Sequence, residues 1–304
     1  MQSRIPRVEE STKGISEPAI YLQIVVIRGI IFPMSTKPSV GHILALITAF
    51  IWGTTFIATK ILLVEFTPVE ILFIRFVLGF IALTLACPKR FSPLERKQEW
   101  LFALAGLTGV CLYYLMENIA LTYTMASNVG VLVSISPLIT ALLAFAISKK
   151  KTRLQPSFIL GFVVAIAGIS LISFNGSRME LNPLGDLLAI GATIVWAIYS
   201  VTVNKVSGFG YNVIQTTRRF FFYGIIFMIP ALFFMDFSPS WSSLAEPKYL
   251  LMFLFLGIGA CAVCFVTWNT AIQILGPVKS SIYLYLVPVI TVVASAIILR
   301  EQIT

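Results

Sequence analysis

Charge is what this chain has least of. Of its 304 residues only 12% are Asp, Glu, Lys or Arg, while 58% are hydrophobic. Ordinary soluble domains carry roughly 25% charged residues, so a soluble globular fold is excluded and lipid is the implied solvent. Histidine is reduced to His42. With no paired carboxylates inside the apolar segments, an intramembrane protease or lipid-modifying enzyme lacks its Ser/His, paired-Asp or metal-ligand set. No GxxxxGK[ST] loop occurs, which removes ATP hydrolysis as the chain's own power source. No cofactor or metal site is expected. The four cysteines, Cys87, Cys111, Cys261 and Cys264, lie in or beside apolar runs. There they read as small buried hydrophobes rather than a disulfide framework, and Cys261-x-x-Cys264 has no further ligands for a metal or redox pair. The formal net charge is +9, but the basic residues fall in short loops rather than one stripe, so they speak of topology and not of nucleic acid.

Long apolar runs are what the chain has in abundance. A helix crossing about 30 Å of hydrocarbon needs about 20 mainly apolar residues. Nine segments qualify: roughly 40–63, 68–87, 100–121, 127–148, 157–174, 184–204, 212–235, 249–271 and 279–299. The connections between them are short and polar, as at Pro88 to Lys97, Lys149 to Pro156 and Ser238 to Lys248, which predicts one membrane domain without a soluble module. Residues 1–39 read as a leader, disordered or lying on the membrane surface. Their apolar stretch Ala19 to Phe32 is broken by Gln23 and Arg28, no small-residue cleavage site follows, and Met34 is an alternative start. Lys and Arg collect in the loops at 88–99 and 149–155, while Arg178, Lys248 and Arg300 fall on the other side. By the positive-inside rule the amino terminus is cytoplasmic.

The chain also aligns on itself. SISPLITALLAFAI (134–147) lies over YLVPVITVVASAII (285–298) at a shift of 151 without gaps, and the same shift matches Gly106 with Gly257 and Asn118 with Asn269. Earlier in each half the shift is 144, placing Trp52 on Trp196 and Arg75-Phe76 on Arg219-Phe220. A repeat of five crossings is odd, so its second copy must enter the membrane in the opposite sense, as in many secondary transporters. The expected fold is therefore an all-α integral membrane protein of two inverted-topology repeats of five transmembrane helices, at 40–174 and 184–304. Ten helices are expected and nine are present. The sequence stops at Thr304, which pairs with Arg153 just before the tenth should begin, so the chain is expected to be a fragment lacking that helix.

Two copies, one opening AFIWGTTFIATK and the other ATIVWAIYSVTVNK, with ENIALTYT and SPLITALL following in the first, resemble the EamA family of the drug/metabolite transporter superfamily across residues 40–304. The family's usual glycine-glutamate pair after the fourth and ninth helices is replaced here by Lys149-Lys150 and Arg300-Glu301. The resemblance implies ten helices with both termini cytoplasmic, and export or exchange of small metabolites, amino acids or related compounds, across a bacterial inner membrane by alternating access. A proton or counter-substrate gradient is the implied energy source. A drug or nucleotide-sugar-like carrier is the alternative within the superfamily, and an intramembrane enzyme or a non-transporting membrane receptor the alternative outside it.

Charged groups within apolar spans cost a few kcal/mol on insertion scales and usually face a bundle interior or cavity. Glu117, with Tyr113 and Tyr114 at helical spacing i−4 and i−3, forms one stripe of the third helix. Its carboxylate either binds a substrate ammonium or takes up a proton, or else lies water-exposed near the helix end. The matching stripe of the eighth helix holds Cys261, Cys264, Phe265 and Trp268, so a site between the halves is asymmetric. Asn118 and Asn269 either bridge helices or bond the substrate. Trp52 and Trp196 stand halfway along their helices, away from the interfaces where Trp anchors, and with Tyr199, Tyr283 and Tyr285 read as cavity wall or as ordinary packing. Arg75 and Arg219 either hold an anionic group or snorkel, and Arg218, without a counterpart, snorkels. Lys60 and His42 read as boundary residues. Pro137 and Pro288 free backbone carbonyls mid-helix at equivalent positions, which favours gating.

Overall fold

The computed structural model describes residues 37–89, 95–124, 126–147, 156–173, 182–235, 237–294 and 297–298. The expected leader up to residue 36, and the pairs Lys149-Lys150 and Arg300-Glu301, lie outside the described residues. Every regular element among those described is helical. Eight helices are long and apolar enough to cross a membrane: α1 (Pro38–Leu62), α2 (Pro68–Ala86), α3 (Gln98–Tyr123), α4 (Asn128–Ile147), α6 (Pro183–Ser207), α7 (Val213–Phe234), α8 (Pro247–Leu275) and α9 (Pro277–Ala294). Between the fourth and sixth of the expected spans runs α5 (Pro156–Ser173). Backbone polar groups have no water to bond in hydrocarbon, so each crossing satisfies its own N–H and C=O groups as a helix. Side chains such as Phe50, Val64, Leu85 and Phe234 turn outward and remain exposed, as lipid-facing positions must.

The helix ends follow from local chemistry. Pro38, Pro68, Pro183, Pro247 and Pro277 each stand in the first turn, where a missing N–H costs nothing. This is why α1 begins at Pro38, a little before the expected span. Thr67 and Glu70 close a capping box at the start of α2, with Thr67 N donating to Glu70 Oε2 at 2.8 Å and Glu70 N to Thr67 Oγ1 at 3.4 Å. The second carboxylate oxygen of Glu70 accepts from Ser238 N at 2.9 Å, tying this end to the connection between α7 and α8. At the end of α3, Lys60 Nζ donates to Leu121 O at 2.7 Å and Thr124 O at 3.1 Å, a cation placed on carbonyls the helix leaves open. Gly276 joins α8 to α9 at a φ of +81°, a conformation that side chains disfavour.

Contacts between the halves are reciprocal. α1 packs against α8 and α9, while α6 packs against α3 and α4; α2 lies on α7 and α8, and α7 on α2 and α3. The interruptions recur as well. A wide π turn spans Leu107–Leu112 in α3 and another spans Phe255–Val263 in α8, so both end at positions 151 apart. α4 breaks at Ser134–Ile135, two residues ahead of Pro137, and α9 tightens into a 3-10 stretch at Ile282–Tyr285 shortly before Pro288. Proline lacks the N–H that would continue each ladder.

Glycines permit the closest crossings. A Cβ on Gly106 would stand 2.6 Å from Phe220 O and 2.7 Å from Gly224 N, and one on Gly257 would stand 2.6 Å from Leu78 Cβ and 3.1 Å from Arg75 O. Small residues that let backbones touch are how helices associate where lipid removes the hydrophobic drive. Gly106→Ala should therefore destabilise the bundle by about 1–3 kcal/mol, the range for overpacking. Gly161→Ala, with nothing within 4 Å of its added methyl, should not. The check is the temperature at which detergent-solubilised protein loses its monodisperse size-exclusion peak; equal midpoints for the two variants would contradict the described α3–α7 crossing.

Candidate functional site

A narrow cavity lies midway along the bundle, lined from α1 by Trp52, Thr55 and Phe56, from α3 by Tyr113, Tyr114 and Glu117, and by Val133, Trp196, Leu284 and Val287 from α4, α6 and α9. Both halves contribute to its wall. Its volume is about 20 Å³, little more than the roughly 10–15 Å³ that one water needs. Binding sites for small molecules run to about 300–1,000 Å³. A substrate therefore enters only when the lining helices part.

The aromatic walls meet at steep angles. Trp52 and Trp196 stand 5.3 Å apart at 82°, Tyr113 and Tyr114 4.8 Å apart at 89°, and Tyr113 lies 4.7 Å from Trp196. Edge-to-face geometry of this kind is what the ring quadrupole favours. Trp52 is fixed from behind, its Nε1 donating to Ala260 O at 3.1 Å within the wide turn of α8. Thr55 spends its hydroxyl on Trp52 O at 2.7 Å. The Trp196 indole N–H is buried without a hydrogen-bond partner among the described residues.

Glu117 is 6% exposed, its carboxylate turned to the cavity without a hydrogen bond from any described residue. Behind Tyr114 lies Arg75, 1% exposed, with its guanidinium 4.5 Å from the Tyr114 ring centroid. Arg75 Nε donates to Cys261 Sγ at 3.1 Å, and Nη2 is buried without a partner among the described residues. Arg75 and Glu117 lie within electrostatic range of one another. Arg75 does not snorkel.

The other expected residues fall elsewhere. Arg219 pairs with Glu99, which also accepts from the Tyr223 hydroxyl, and its side chain is about a third exposed at the end of the bundle. Arg218 reaches the carbonyls of Cys87 and Lys89 that follow α2. Asn118 donates to Pro68 O at 3.1 Å, joining α3 to α2. Asn269 accepts from Tyr199 OH at 2.7 Å and donates to Thr217 Oγ1 at 3.0 Å, joining α8 to α6 and α7. Trp268 packs 5.1 Å behind Trp52, off the cavity lining. Tyr283 bonds His42 at 2.8 Å, and Tyr285 holds a buried hydroxyl without a described partner. The lining from α9 is instead Leu284 and Val287, because the 3-10 stretch advances side chains by about 120° per residue rather than 100°. That change of phase carries no mark in the sequence. Thr55 and Phe56 follow Trp52 at helical spacing and were open to the same reading that found the tryptophan. Pro137 and Pro288 sit at the interruptions of α4 and α9.

The profile of the EamA-like transporter family matches residues 39–174 and again 183–304. An uncharacterized transporter of Archaeoglobus fulgidus is 29% identical over 266 residues, covering 86% of this chain and 90% of its own. The uncharacterized transporter YvbV of Bacillus subtilis is 23% identical across 86% of this chain and 85% of its own. The uncharacterized inner membrane transporter YhbE of Escherichia coli K12 is 31% identical over 179 residues, 55% of each chain. A solved crystal structure, 19% identical, superposes with a TM-score of 0.66 over 88% of this chain and 91% of that one, a likeness of fold. With both halves matched and the apolar helices in place, the chain belongs to the EamA-like transporter family and is a multi-pass membrane transporter of small molecules.

Proposed function

We propose that this transporter is secondary, exporting or exchanging small metabolites across the bacterial inner membrane by alternating access, with its halves inserted in opposite senses and its amino terminus in the cytoplasm. The observation that carries the mechanism is a mismatch between equivalent hydrogen bonds. Trp52 Nε1 donates to Ala260 O at 3.1 Å, and Thr291 Oγ1 donates to Gly53 O at 2.8 Å while sharing Val287 O at 2.9 Å. At the shifts of 144 and 151, the counterpart bonds run from Trp196 to Gly109 and from Thr140 to Ala197. Trp196 Nε1 and Thr140 Oγ1 are instead buried without a hydrogen-bond partner among the described residues.

The interface of α1 with α8 and α9 has made its cross-links, and the equivalent interface of α6 with α3 and α4 has not. A carrier whose two halves exchange conformations about a pseudo-two-fold axis has this arrangement, since the bonds made in one state are those broken in the other. Each unmet buried donor costs about 1–3 kcal/mol. With the same number unmet in either conformation, the costs cancel and both remain accessible, which transport requires. The central cavity, lined from both halves, is where a substrate would be passed from one side to the other. Energy comes from the gradient of a proton or counter-substrate.

Three measurements test this. Protein in liposomes should move members of a metabolite panel without ATP, and Glu117→Gln should reduce that flux by more than about tenfold, the worth of a hydrogen bond to a charged group. Undiminished flux would remove Glu117 from the site. Thr140→Val and Thr291→Val should shift the accessibility of a cysteine placed at Thr55 in opposite senses, each by roughly fivefold for about 1 kcal/mol, read as labelling by an impermeant thiol reagent added to either side. A shift in the same sense defeats the exchange of bonds. Cysteines at Lys89 and Ser207 should label from one side of the membrane; labelling from opposite sides rules out inverted halves.

A further inference from the structure

The cavity wall also specifies the charge of its occupant, an inference that rests on the transport reading above. Among the lining residues Glu117 is the one ionisable carboxylate and no Lys, Arg or His is present. Its oxygens accept no hydrogen bond from any described residue, and although Arg75 behind Tyr114 lies within electrostatic range, those oxygens are open to whatever enters. Four rings, Trp52, Trp196, Tyr113 and Tyr114, stand around it at 47° to 89° to their neighbours, forming a corner rather than a stack. Ring faces carry negative quadrupole potential, and a cluster of aromatic rings with one carboxylate attracts a positive head group of low hydration.

The same wall disfavours anions. The nearest guanidinium, Arg75, lies outside the lining, its Nε held by Cys261 and its plane backed by Tyr114. A carboxylate or phosphate in the cavity would meet Glu117 and the ring faces, with only neutral donors to bond. A zwitterion gains at its ammonium end and loses at the other. The lining offers one carboxylate, and so one place for a positive charge.

We infer that the transported substrate is an organic monocation whose compact alkylammonium head is held between these rings and Glu117, rather than a zwitterion or an anion. Nucleotide-sugar-like substrates are excluded by the same reasoning.

The test uses purified full-length protein with probes that differ in charge at nearly constant shape. Choline is the cation, 3,3-dimethylbutanol its neutral isostere, and glycine betaine carries the same trimethylammonium with a carboxylate added. Butylammonium adds a primary amine. Binding is read as quenching of intrinsic tryptophan fluorescence, and transport as counterflow in liposomes. At least one of the two cations should bind and exchange, with the isostere and the betaine each weaker by more than about tenfold, the order expected for losing or opposing a buried charge interaction. Trp196→Leu should weaken the cation by about fivefold and leave the isostere unchanged. Glu117→Gln should remove the preference for charge while a preserved size-exclusion profile shows the fold intact. Betaine or an anionic metabolite binding as tightly as the cations overturns the inference while leaving transport standing. So does a failure of both cations to bind at millimolar concentration when another metabolite is moved. Binding of the cations without counterflow of any compound overturns the transport reading and leaves the site chemistry in place.

Discussion

A guanidinium held inside hydrocarbon constrains this molecule more than any other group. Arg75 is cut off from water and cannot discharge, so the bundle must supply what hydration would have given. It supplies a ring face from Tyr114, a sulfur from Cys261 and an opposite charge at Glu117. Those groups come from α3 and α8, and Cys261 reaches Arg75 because α2 and α8 cross almost backbone to backbone. Gly79 and Gly257 make that crossing possible, each presenting bare backbone to the other helix. Cys261 follows Gly257 by about one turn and so arrives beside the arginine. The packing of three helices and the electrostatics of the cavity are thus one arrangement seen from two sides.

Around that centre the rings form a continuous mass. Phe265, fully buried, touches Trp52, Phe76, Tyr114, Trp196, Tyr199 and Phe221, with centroids between 5.1 and 6.1 Å. It lies one residue after Cys264 on α8 and connects the cavity wall to the α2–α7 contact. Rigid aromatic packing of this kind moves as a body, because a dense core repacks in discrete steps rather than deforming smoothly. A change in how α8 sits against α1 is therefore carried to Trp196 on α6. Asn269 and Tyr199 extend the same body to α7 through a hydrogen-bonded chain.

The spans were legible in the sequence because lipid demands length and apolarity, two properties that need no knowledge of partners. Glu117, Tyr113 and Tyr114 were legible as a stripe, and mid-helix Trp52 and Trp196 as interior residues, for the same reason: each is costly or unusual where it stands. What the sequence left open was pairing. Arg75 and Arg219 occupy equivalent places, yet Arg219 turns to Glu99 and Arg75 lies inward toward Glu117. The counterpart of Glu99 is Leu250 and that of Glu117 is Trp268, so neither arginine has a carboxylate where its twin finds one. Equivalence in the repeat fixed the position of each charge but not its company. Tyr283 and Tyr285 were misplaced for a different reason, since a tightening of α9 changes which residues face inward without altering composition.

The wide turns of α3 and α8 hold one more residue per turn than the helix on either side, a wrinkle of spare backbone. A wrinkle can travel along a helix, as along a carpet, and each residue it passes swings by about 100° while nearly all backbone hydrogen bonds stay closed. The bilayer forbids unwinding but not this. Ala260, on which the Trp52 indole hangs, sits inside one wrinkle, and its counterpart Gly109 sits inside the other. The handhold of Trp52, and the position equivalent to it beside Trp196, are thus placed on the wide turns of backbone.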